Sequence, residues 1–274
     1  MQVQIIRIVK SILFRIKCLY EYIYYTLQKN IRSIRNRNLY EKVRILKNSY
    51  VGERVFLIGT GPSLNDEDIL KLRKEYTFGL NSIAIAQKKL KFFPTFYGFT
   101  DGGIVDDKLF GKEVFSNNKS IIFYTQMRDL KRKDVIELRR KSNAYELLMK
   151  DPGNWINFVK MPKLFSEDVS KEVYWGYTCA YVMMQVIVYL GFKEVYLLGM
   201  DCIYAPGIEN YEDKRSAEEV VNGDCGGGTV PEFMYAWNEV KKYSEKNGIK
   251  IYNVTRGGML DIFERKTMEE ILGS

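Results

Sequence analysis

The chain has 274 residues, with 42 Lys and Arg against 34 Asp and Glu, a formal net charge of +8 and no histidine. This length suits one large domain or two small ones with a core of normal size. Because histidine is absent, Ser–His–Asp and Cys–His catalysis and imidazole ligation of a metal are excluded. Any acid–base chemistry must come from Asp, Glu, Tyr, Lys, Cys or the substrate itself.

The positive charge is concentrated at one end of the chain. Residues 1–50 hold eleven Lys and Arg against Glu21 and Glu41, a balance of +9, and the other 224 residues sum to −1. The basic character therefore belongs to the N-terminal segment, and we do not expect nucleic acid as the main partner. The four cysteines are scattered without a C-x-x-C pair, so we expect a reducing cytoplasm and no structural zinc site.

Residues 2–47 are predicted to form one or two amphipathic helices, because apolar residues from Ile5 to Leu27 recur at helical spacing with Lys and Arg between them. No apolar run approaches the roughly 20 residues that span a bilayer, and charges interrupt any signal-peptide core. Basic residues beside Leu, Ile and Tyr suit a helix lying on an anionic membrane surface, at the inner face. Packing on the domain or on a second subunit, as in a homo-oligomer, is the open alternative.

The strongest local pattern is a strand, a tight turn and a helix start. The apolar run Val55–Ile58 leads directly into Gly59-Thr60-Gly61-Pro62-Ser63, and a helix is predicted over Asp66–Glu75. Glycines let the backbone approach a ligand, and the N–H groups at a helix start favour an anion. The motif is neither G-x-G-x-x-G nor a P-loop. It predicts a phosphate-binding turn, with an ordinary strand–helix turn as the alternative.

Strand and helix signals then alternate along the chain. We predict further strands at Tyr76–Leu80, Pro94–Phe99, Ser120–Tyr124, Val195–Leu198 and Ile249–Val254, and helices at Ile83–Lys89, Tyr181–Leu190, Pro231–Lys246 and Asp261–Leu272. Several strands end on small or polar residues, such as Asn81, Asp101 and Asp201, where open α/β sheets place ligand-binding groups. An apolar helix feeding an apolar strand before Asp201 indicates a central crossover.

The predicted fold is therefore α/β, with a Rossmann-like, mostly parallel sheet flanked by helices. Residues 51–274 form the predicted nucleotide-binding domain, and residues 1–50 form the basic amphipathic helical segment in front of it. The charged region 128–174 is predicted to form a lid or small subdomain over the site.

Four separated signatures together resemble a known family. They are Ile58–Leu64, Phe96-Tyr97 followed by Asp101, Gly191–Asp201, and Asn253–Gly258. Their order and spacing resemble the MptE-like (6-hydroxymethylpterin pyrophosphokinase-like) family over residues 52–265. That family is related in fold to the GT-A-like bacterial CMP-sialyltransferases and to the motility-associated flagellin glycosyltransferases.

The resemblance implies roles for particular residues. It assigns nucleotide binding to Gly59, Thr60, Gly61, Pro62, Ser63, Asn81, Thr178, Cys179, Ala180 and Asp201. It makes Tyr204 and Tyr211 candidates for stabilising the leaving phosphate. Independently of the resemblance, Arg256 lies beside Gly257-Gly258 and is expected to meet a phosphate or carboxylate, or to pair with Asp261. Thr60 departs from the usual Asn, and Cys179 and Ala180 depart from Ser and Gly.

The most important departure is the missing histidine, which those sialyltransferases use as the general base. Gly226-Gly227-Gly228 stands in the corresponding segment. Asp101, Asp224 and Glu232 are the nearest candidates for a replacement base, with Asp201 as a further catalytic candidate.

Three functions stay open at this point. The first is a glycosyltransferase that uses a nucleotide-activated sugar, such as a CMP-linked nonulosonic acid, and a glycan or lipid-linked acceptor, with no required cofactor or metal. The second is a diphosphotransferase that takes pyrophosphate from ATP and needs Mg²⁺ held by Asp101 and Asp201. The third is a non-catalytic nucleotide-binding scaffold of a glycan-assembly complex.

Overall fold

The structure is a computed structural model. It describes residues 12, 16, 20, 23, 27, 30–31, 34–100, 102–105, 111–125, 132–150, 165–203, 211 and 230–273.

An eight-stranded sheet forms the centre of the fold, and every strand pair in it is parallel. Its order is β10-β9-β8-β1-β2-β3-β4-β5, and β6 and β7 pair separately. The strands are β1 Arg54–Ile58, β2 Tyr76–Leu80, β3 Phe96–Phe99, β4 Ile121–Thr125, β5 Ala144–Leu147, β6 Met149–Lys150, β7 Val173–Tyr174, β8 Glu194–Leu198, β9 Lys250–Asn253 and β10 Glu264–Arg265. The α/β fold with a parallel sheet is confirmed.

Helices cover both faces of this sheet. They are α1 Arg37–Glu41, α2 Asp66–Lys71, α3 Ala84–Lys89, α4 Gly111–Ser116, α5 Arg132–Arg140, α6 Cys179–Leu190, α7 Val230–Lys246 and α8 Met268–Leu272. Short 3-10 turns lie at Lys42–Leu46, Asn81–Ile83 and Gly102–Val105.

Strand β1 is covered on both faces, which explains why its sequence is apolar at consecutive positions. Val55 and Leu57 pack in the core on the side of α6, and Phe56 and Ile58 pack in a second cluster with residues of α2. Successive side chains of a strand point to opposite faces, so a central strand covered on both faces needs an unbroken apolar run.

Helix α6 is the most deeply buried helix of the described fold. Its residues are buried throughout except the half-buried Val188. Gly191 ends it with φ of 100°, a left-handed conformation that glycine adopts at low cost. Gln185 is fully buried, and its side chain bonds the backbone of Ser166, Tyr174 and Tyr181. Gln185 therefore holds Ser166 and Tyr174, which precede the helix in the chain, against α6.

Several predicted bounds need correction. The helix predicted over Asp66–Glu75 ends at Lys71, and Leu72 is its C-cap. The predicted terminal helix Asp261–Leu272 is replaced in its first half by β10, so only Met268–Leu272 is helical. In the region 128–174, residues 144–147 form β5 at the edge of the main sheet. Residues 128–131 and 151–164 of that region lie outside the described residues, and the predicted lid stays a prediction.

The N-terminal segment joins the domain before residue 50. Tyr40 and Val43 are buried, and Val43 belongs to the main core. Lys42 donates from Nζ to the carbonyl oxygens of Lys141 and Ala144, at 3.1 and 2.9 Å. The packed domain therefore includes residues that the sequence assigned to the helical segment. Among the described residues, no helix combines the length and apolarity needed to cross a membrane.

Candidate functional site

The order of the strands defines one crevice. From β1 the chain proceeds outward through β2, β3, β4 and β5 on one side, and later through β8, β9 and β10 on the other. The order of the sheet therefore reverses between β1 and β8. In open parallel sheets, ligands bind in the crevice beyond the carboxyl ends of the strands at such a switch point. The turns that follow β1 and β8 form this crevice.

Glycines bring these two turns into backbone contact. The N–H of Gly59 donates to the Leu198 carbonyl at 2.8 Å, and the N–H of Gly61 donates to the Gly199 carbonyl at 2.9 Å. A Cβ on Gly59 would lie 2.5 Å from the Gly199 oxygen. Any side chain at these positions would push the turns apart, so the glycines are required by the packing of the two turns.

Asp201 is the residue on which the two turns converge. Its carboxylate accepts from Ser63 Oγ at 2.8 Å and from the Ser63 N–H at 3.3 Å. A Cβ on Gly61 would lie 1.9 Å from its Oδ2. Asp201 is buried, and this burial raises the pKa of its carboxyl above the usual value, although the Ser63 bonds act in the opposite direction. The turn after β1 is thus built around a buried acid.

A third turn, which follows β9, supports Asp201 from the other side. The N–H of Met259 donates to the Asp201 carbonyl at 2.8 Å, and a Cβ on Gly258 would lie 2.8 Å from that oxygen. Thr255 Oγ1 accepts from the Met200 N–H at 2.9 Å. Arg265, which no sequence pattern singled out, donates to the carbonyl oxygens of Thr255, Gly257 and Gly258. The signature Asn253–Gly258 therefore holds the turn after β8 in place.

Three residues other than glycine adopt left-handed backbone conformations around this crevice. They are Asn81 after β2 (φ 45°), Tyr177 before α6 (φ 66°) and Cys202 after β8 (φ 53°). Such conformations are uncommon outside glycine and concentrate at functional sites. Asn81 Oδ1 is buried without a hydrogen-bond partner among the described residues. The clustering at neighbouring strand and helix ends marks this crevice as a candidate ligand site.

Helix α6 begins at the same end of the sheet as the two turns. Thr178 is its N-cap, and its side chain accepts from the Tyr181 N–H at 3.2 Å. The thiol of Cys179 is buried and donates to the Gly98 carbonyl on β3, and the predicted nucleotide contact of this residue stays a prediction. Burial raises the pKa of the Cys202 thiol to about 11, so this sulfur is protonated at neutral pH.

Tyr211 closes the space between the turns after β1 and β2. Its N–H donates to the Thr60 carbonyl at 2.8 Å, and its carbonyl accepts from Ser82 Oγ at 2.6 Å. Its hydroxyl donates to Asp66 Oδ1 at 2.7 Å. The hydroxyl proton of Tyr211 is therefore directed at Asp66 in this structure, and the predicted role of Tyr211 at a leaving phosphate stays a prediction.

Arg256 pairs with a different acid from the one expected. Its guanidinium contacts both carboxylate oxygens of Asp68 at 2.6 to 2.7 Å, while Asp261 pairs with Arg265. Asp68 is buried, and burial raises its pKa although Arg256 acts to lower it. A cleft of about 540 Å³ opens beside this pair, between the turn after β9 and the start of α8. Arg256 therefore holds α2 against β9.

The remaining predicted site residues are distributed as follows. Pro62 is exposed at the rim of the turn, while Thr60, Gly61 and Ser63 are half-buried. Asp101, Tyr204 and Asp224 lie outside the described residues, as does the side chain of Glu232. Within the described part of the chain, no group of three or more acidic or cysteine side chains is placed to hold a metal ion.

Fold and site together define a Rossmann-like α/β domain with a candidate ligand crevice at its topological switch point. The chain belongs to the MptE-like family, because the model described as "6-hydroxymethylpterin diphosphokinase MptE-like" matches residues 25–207. That match contains three of the four signatures and begins well before residue 52. The resemblance derived from the sequence is confirmed.

Among solved structures, the MAf glycosyltransferase from Magnetospirillum magneticum AMB-1 is similar to this chain, with 13% sequence identity and a TM-score of 0.49. The similarity covers 83% of this chain and 38% of that structure, so the chain spans well under half of its length. No curated protein matches the sequence.

Proposed function

We propose that this chain is a transferase that binds a nucleotide-activated sugar in the switch-point crevice and transfers the glycosyl group to a glycan or lipid-linked acceptor. The observation that carries the proposal is the convergence of the Gly59–Ser63 turn, the Gly199–Asp201 turn and the start of α6 at one end of the sheet. Glycines let a ligand approach the backbone closely, and the free N–H groups at a helix start favour an anion. Both features suit a phosphate group.

Each part of the crevice has a proposed task. The N–H groups at the start of α6 bind the phosphate of the donor, while the glycine turn lets the nucleotide approach the backbone. Asn81, with its unpartnered buried oxygen, contacts the nucleotide. Asp201 holds the turn through Ser63 and is proposed to contact the ribose. Stabilising the leaving nucleotide by such fixed dipoles lowers the barrier of the transfer.

The finer assignments follow from the resemblance to the CMP-sialyltransferases. The donor is proposed to be a CMP-linked nonulosonic acid, and the acceptor hydroxyl needs a base. Asp101, Asp224 and Glu232 are the proposed bases, and Tyr204 is proposed to contact the leaving phosphate. No required cofactor or metal is part of this proposal.

A second candidate is an Mg²⁺-dependent diphosphotransferase, which the family description favours because it names a diphosphokinase. Asp101 and Asp201 would then hold the ion. Asp201 suits this role less well, because it is buried and both of its oxygens accept from Ser63. A third candidate is a non-catalytic nucleotide-binding scaffold, because the chain lacks the histidine that the related sialyltransferases use as a base.

A nucleotide thermal-shift panel on the full chain separates the candidates. We expect CMP or CDP to raise the melting temperature in the presence of EDTA, by an amount equivalent to about 2.7 kcal/mol at a hundredfold excess over Kd. A shift with ATP that needs Mg²⁺ supports the diphosphotransferase instead. If no pyrimidine nucleotide shifts the melting temperature, glycosyl transfer from a CMP donor is wrong.

A matched pair of variants locates the binding site. Asn81→Gly removes the amide and keeps the left-handed backbone, so the CMP-induced shift should fall sharply. Asn48→Gly is the control, because Asn48 is also left-handed (φ 57°) but lies in the turn after Lys42–Leu46, where its N–H bonds the Tyr189 carbonyl. Equal CMP-induced shifts in both variants would place the nucleotide elsewhere.

A further inference from the structure

The N-terminal helical segment carries a regular series of exposed apolar side chains. Each member is helical and between 48% and 79% exposed. The series, called the apolar stripe below, consists of Ile12, Ile16, Tyr20, Ile23, Leu27, Ile31 and Ile34. Six of its seven members are aliphatic. Exposed aliphatic side chains scattered singly are normal on a protein surface, but a contiguous apolar surface marks a binding face.

The spacing places these residues on one face of a helix. Successive members are separated by four, four, three, four, four and three residues, an eleven-residue repeat that occurs twice. This repeat corresponds to about 3.67 residues per turn, close to the 3.6 of an α-helix, so the stripe stays straight along the helix. On one continuous helix, with a rise of about 1.5 Å per residue, these positions would span about 33 Å.

The charges of the same segment indicate what covers the stripe. From Arg7 to Arg37 the sequence holds eight Lys and Arg and one acid, Glu21, and no stripe position is charged. Described members of this basic set, Arg35 and Arg37, are exposed. We propose that the apolar stripe lies in the surface of a membrane that contains anionic lipids, with the Lys and Arg side chains against the lipid headgroups.

The same charges disfavour the alternative occupant, a second copy of this chain. Pairing of two stripes would bring together two segments that each carry a net +7 between Arg7 and Arg37, without acids to compensate them. An anionic lipid surface supplies the compensating charge, and the aliphatic side chains enter the interfacial layer. Charge complementarity therefore selects lipid over self-association.

The stripe ends where the packed domain begins. Ile34 is the most exposed member, whereas Tyr40 and Val43, a few residues further on, are buried. The stripe can therefore contact a membrane without removing side chains from the core. Changes to the stripe should also leave the folded domain and its crevice intact, which makes the proposal testable apart from the proposed function.

Vesicle flotation of the full chain tests the proposal. We expect the chain to float with vesicles of phosphatidylcholine containing about 30% phosphatidylglycerol and to stay behind with pure phosphatidylcholine. Binding should weaken as salt is raised, because screening shortens the reach of the headgroup charges. The variant Ile23→Glu/Leu27→Glu should lower the bound-to-free ratio at least about tenfold, since each substitution places a charge in the apolar face.

Ile136→Glu is the matched control, because Ile136 is an exposed isoleucine on α5, outside the stripe. This control should bind vesicles as the unchanged chain does. The control and the stripe variant should melt at the same temperature, and nucleotide should raise the melting temperature of both by the same amount. If the stripe variant floats as well as the control, the proposal is wrong. It is also wrong if sedimentation shows a dimer that the stripe variant dissociates while neither protein binds vesicles.

Discussion

At the scale of single residues, the crevice is organised by a buried carboxylate rather than by its glycines alone. Asp201 accepts two bonds from Ser63 and is enclosed by Gly61 and Gly258. It makes no salt bridge within the described residues. Burying an ionised carboxylate without a cation is costly, so burial disfavours the charged form of this carboxyl. The pKa of Asp201 is raised for this reason.

This raised pKa predicts how Asp201→Asn changes stability with pH. The folded pKa of Asp201 lies above the unfolded value of about 3.9. Between these two pH values the native state therefore binds more protons than the unfolded state. Its stability therefore falls as pH rises through the folded pKa. Asparagine avoids the charge, and its amide can accept from the Ser63 N–H and donate to Ser63 Oγ. We expect the variant to melt higher than the unchanged chain at neutral pH.

The difference in melting temperature should shrink as pH is lowered towards about 4. Thermal unfolding of both proteins at a series of pH values measures it. A difference that stays constant with pH would contradict the assignment of a raised pKa to Asp201.

At the scale of elements, two helices with threonine N-caps allow a matched test of the proposed phosphate site. Thr178 caps α6 and Thr267 caps α8 beside the cleft at Arg256, each accepting an N–H at 3.2 Å. Replacing either by Ala should cost about 1 kcal/mol of unfolding free energy. If the proposed function holds, only Thr178→Ala should also weaken CMP binding. Urea unfolding and CMP titration of the two variants provide the comparison, and equal loss of affinity would argue against a site at α6.

Two buried glutamines predict opposite outcomes for the same substitution. Gln185 on α6 bonds backbone groups of Ser166 and Tyr174 at 2.8 to 3.0 Å, so Gln185→Leu leaves them unsatisfied and should cost about 2–4 kcal/mol. Gln87 on α3 has a buried Nε2 without a partner in the described part of the chain. Gln87→Leu should therefore be neutral or slightly stabilising. Urea unfolding of both variants decides, and equal destabilisation would contradict this ranking.

At the scale of the whole molecule, the structure makes the end of the N-terminal segment part of the folded domain. Deleting residues 1–36 keeps Tyr40 and Val43, so the unfolding free energy should change by less than about 0.5 kcal/mol. Deleting residues 1–47 removes both side chains from the core and should cost several kcal/mol. Chemical unfolding of the two shortened chains measures the difference. Equal stability of the two would mean that the proposed domain begins at residue 51 after all.

The sequence by itself determined the fold class and most of the strands, because both signals are local. An apolar run on consecutive positions, as in Val55–Ile58, means a strand covered on both faces wherever it lies in the chain. A glycine turn followed by a capped helix is also readable from neighbouring residues, which is why the Gly59–Ser63 turn could be predicted. The absence of histidine limits the possible chemistry through composition alone, whatever the fold.

Only the tertiary structure decided which of these local features meet. The bond from Ser63 to Asp201 joins residues 138 positions apart, and the pairing of Arg256 with Asp68 instead of Asp261 joins residues 188 apart. A local sequence pattern does not show which residues far apart in the chain come into contact. The order of the strands in the sheet does, because it places the turns after β1 and β8 side by side. The buried acid that holds the Gly59–Ser63 turn therefore became visible only when the sheet was assembled.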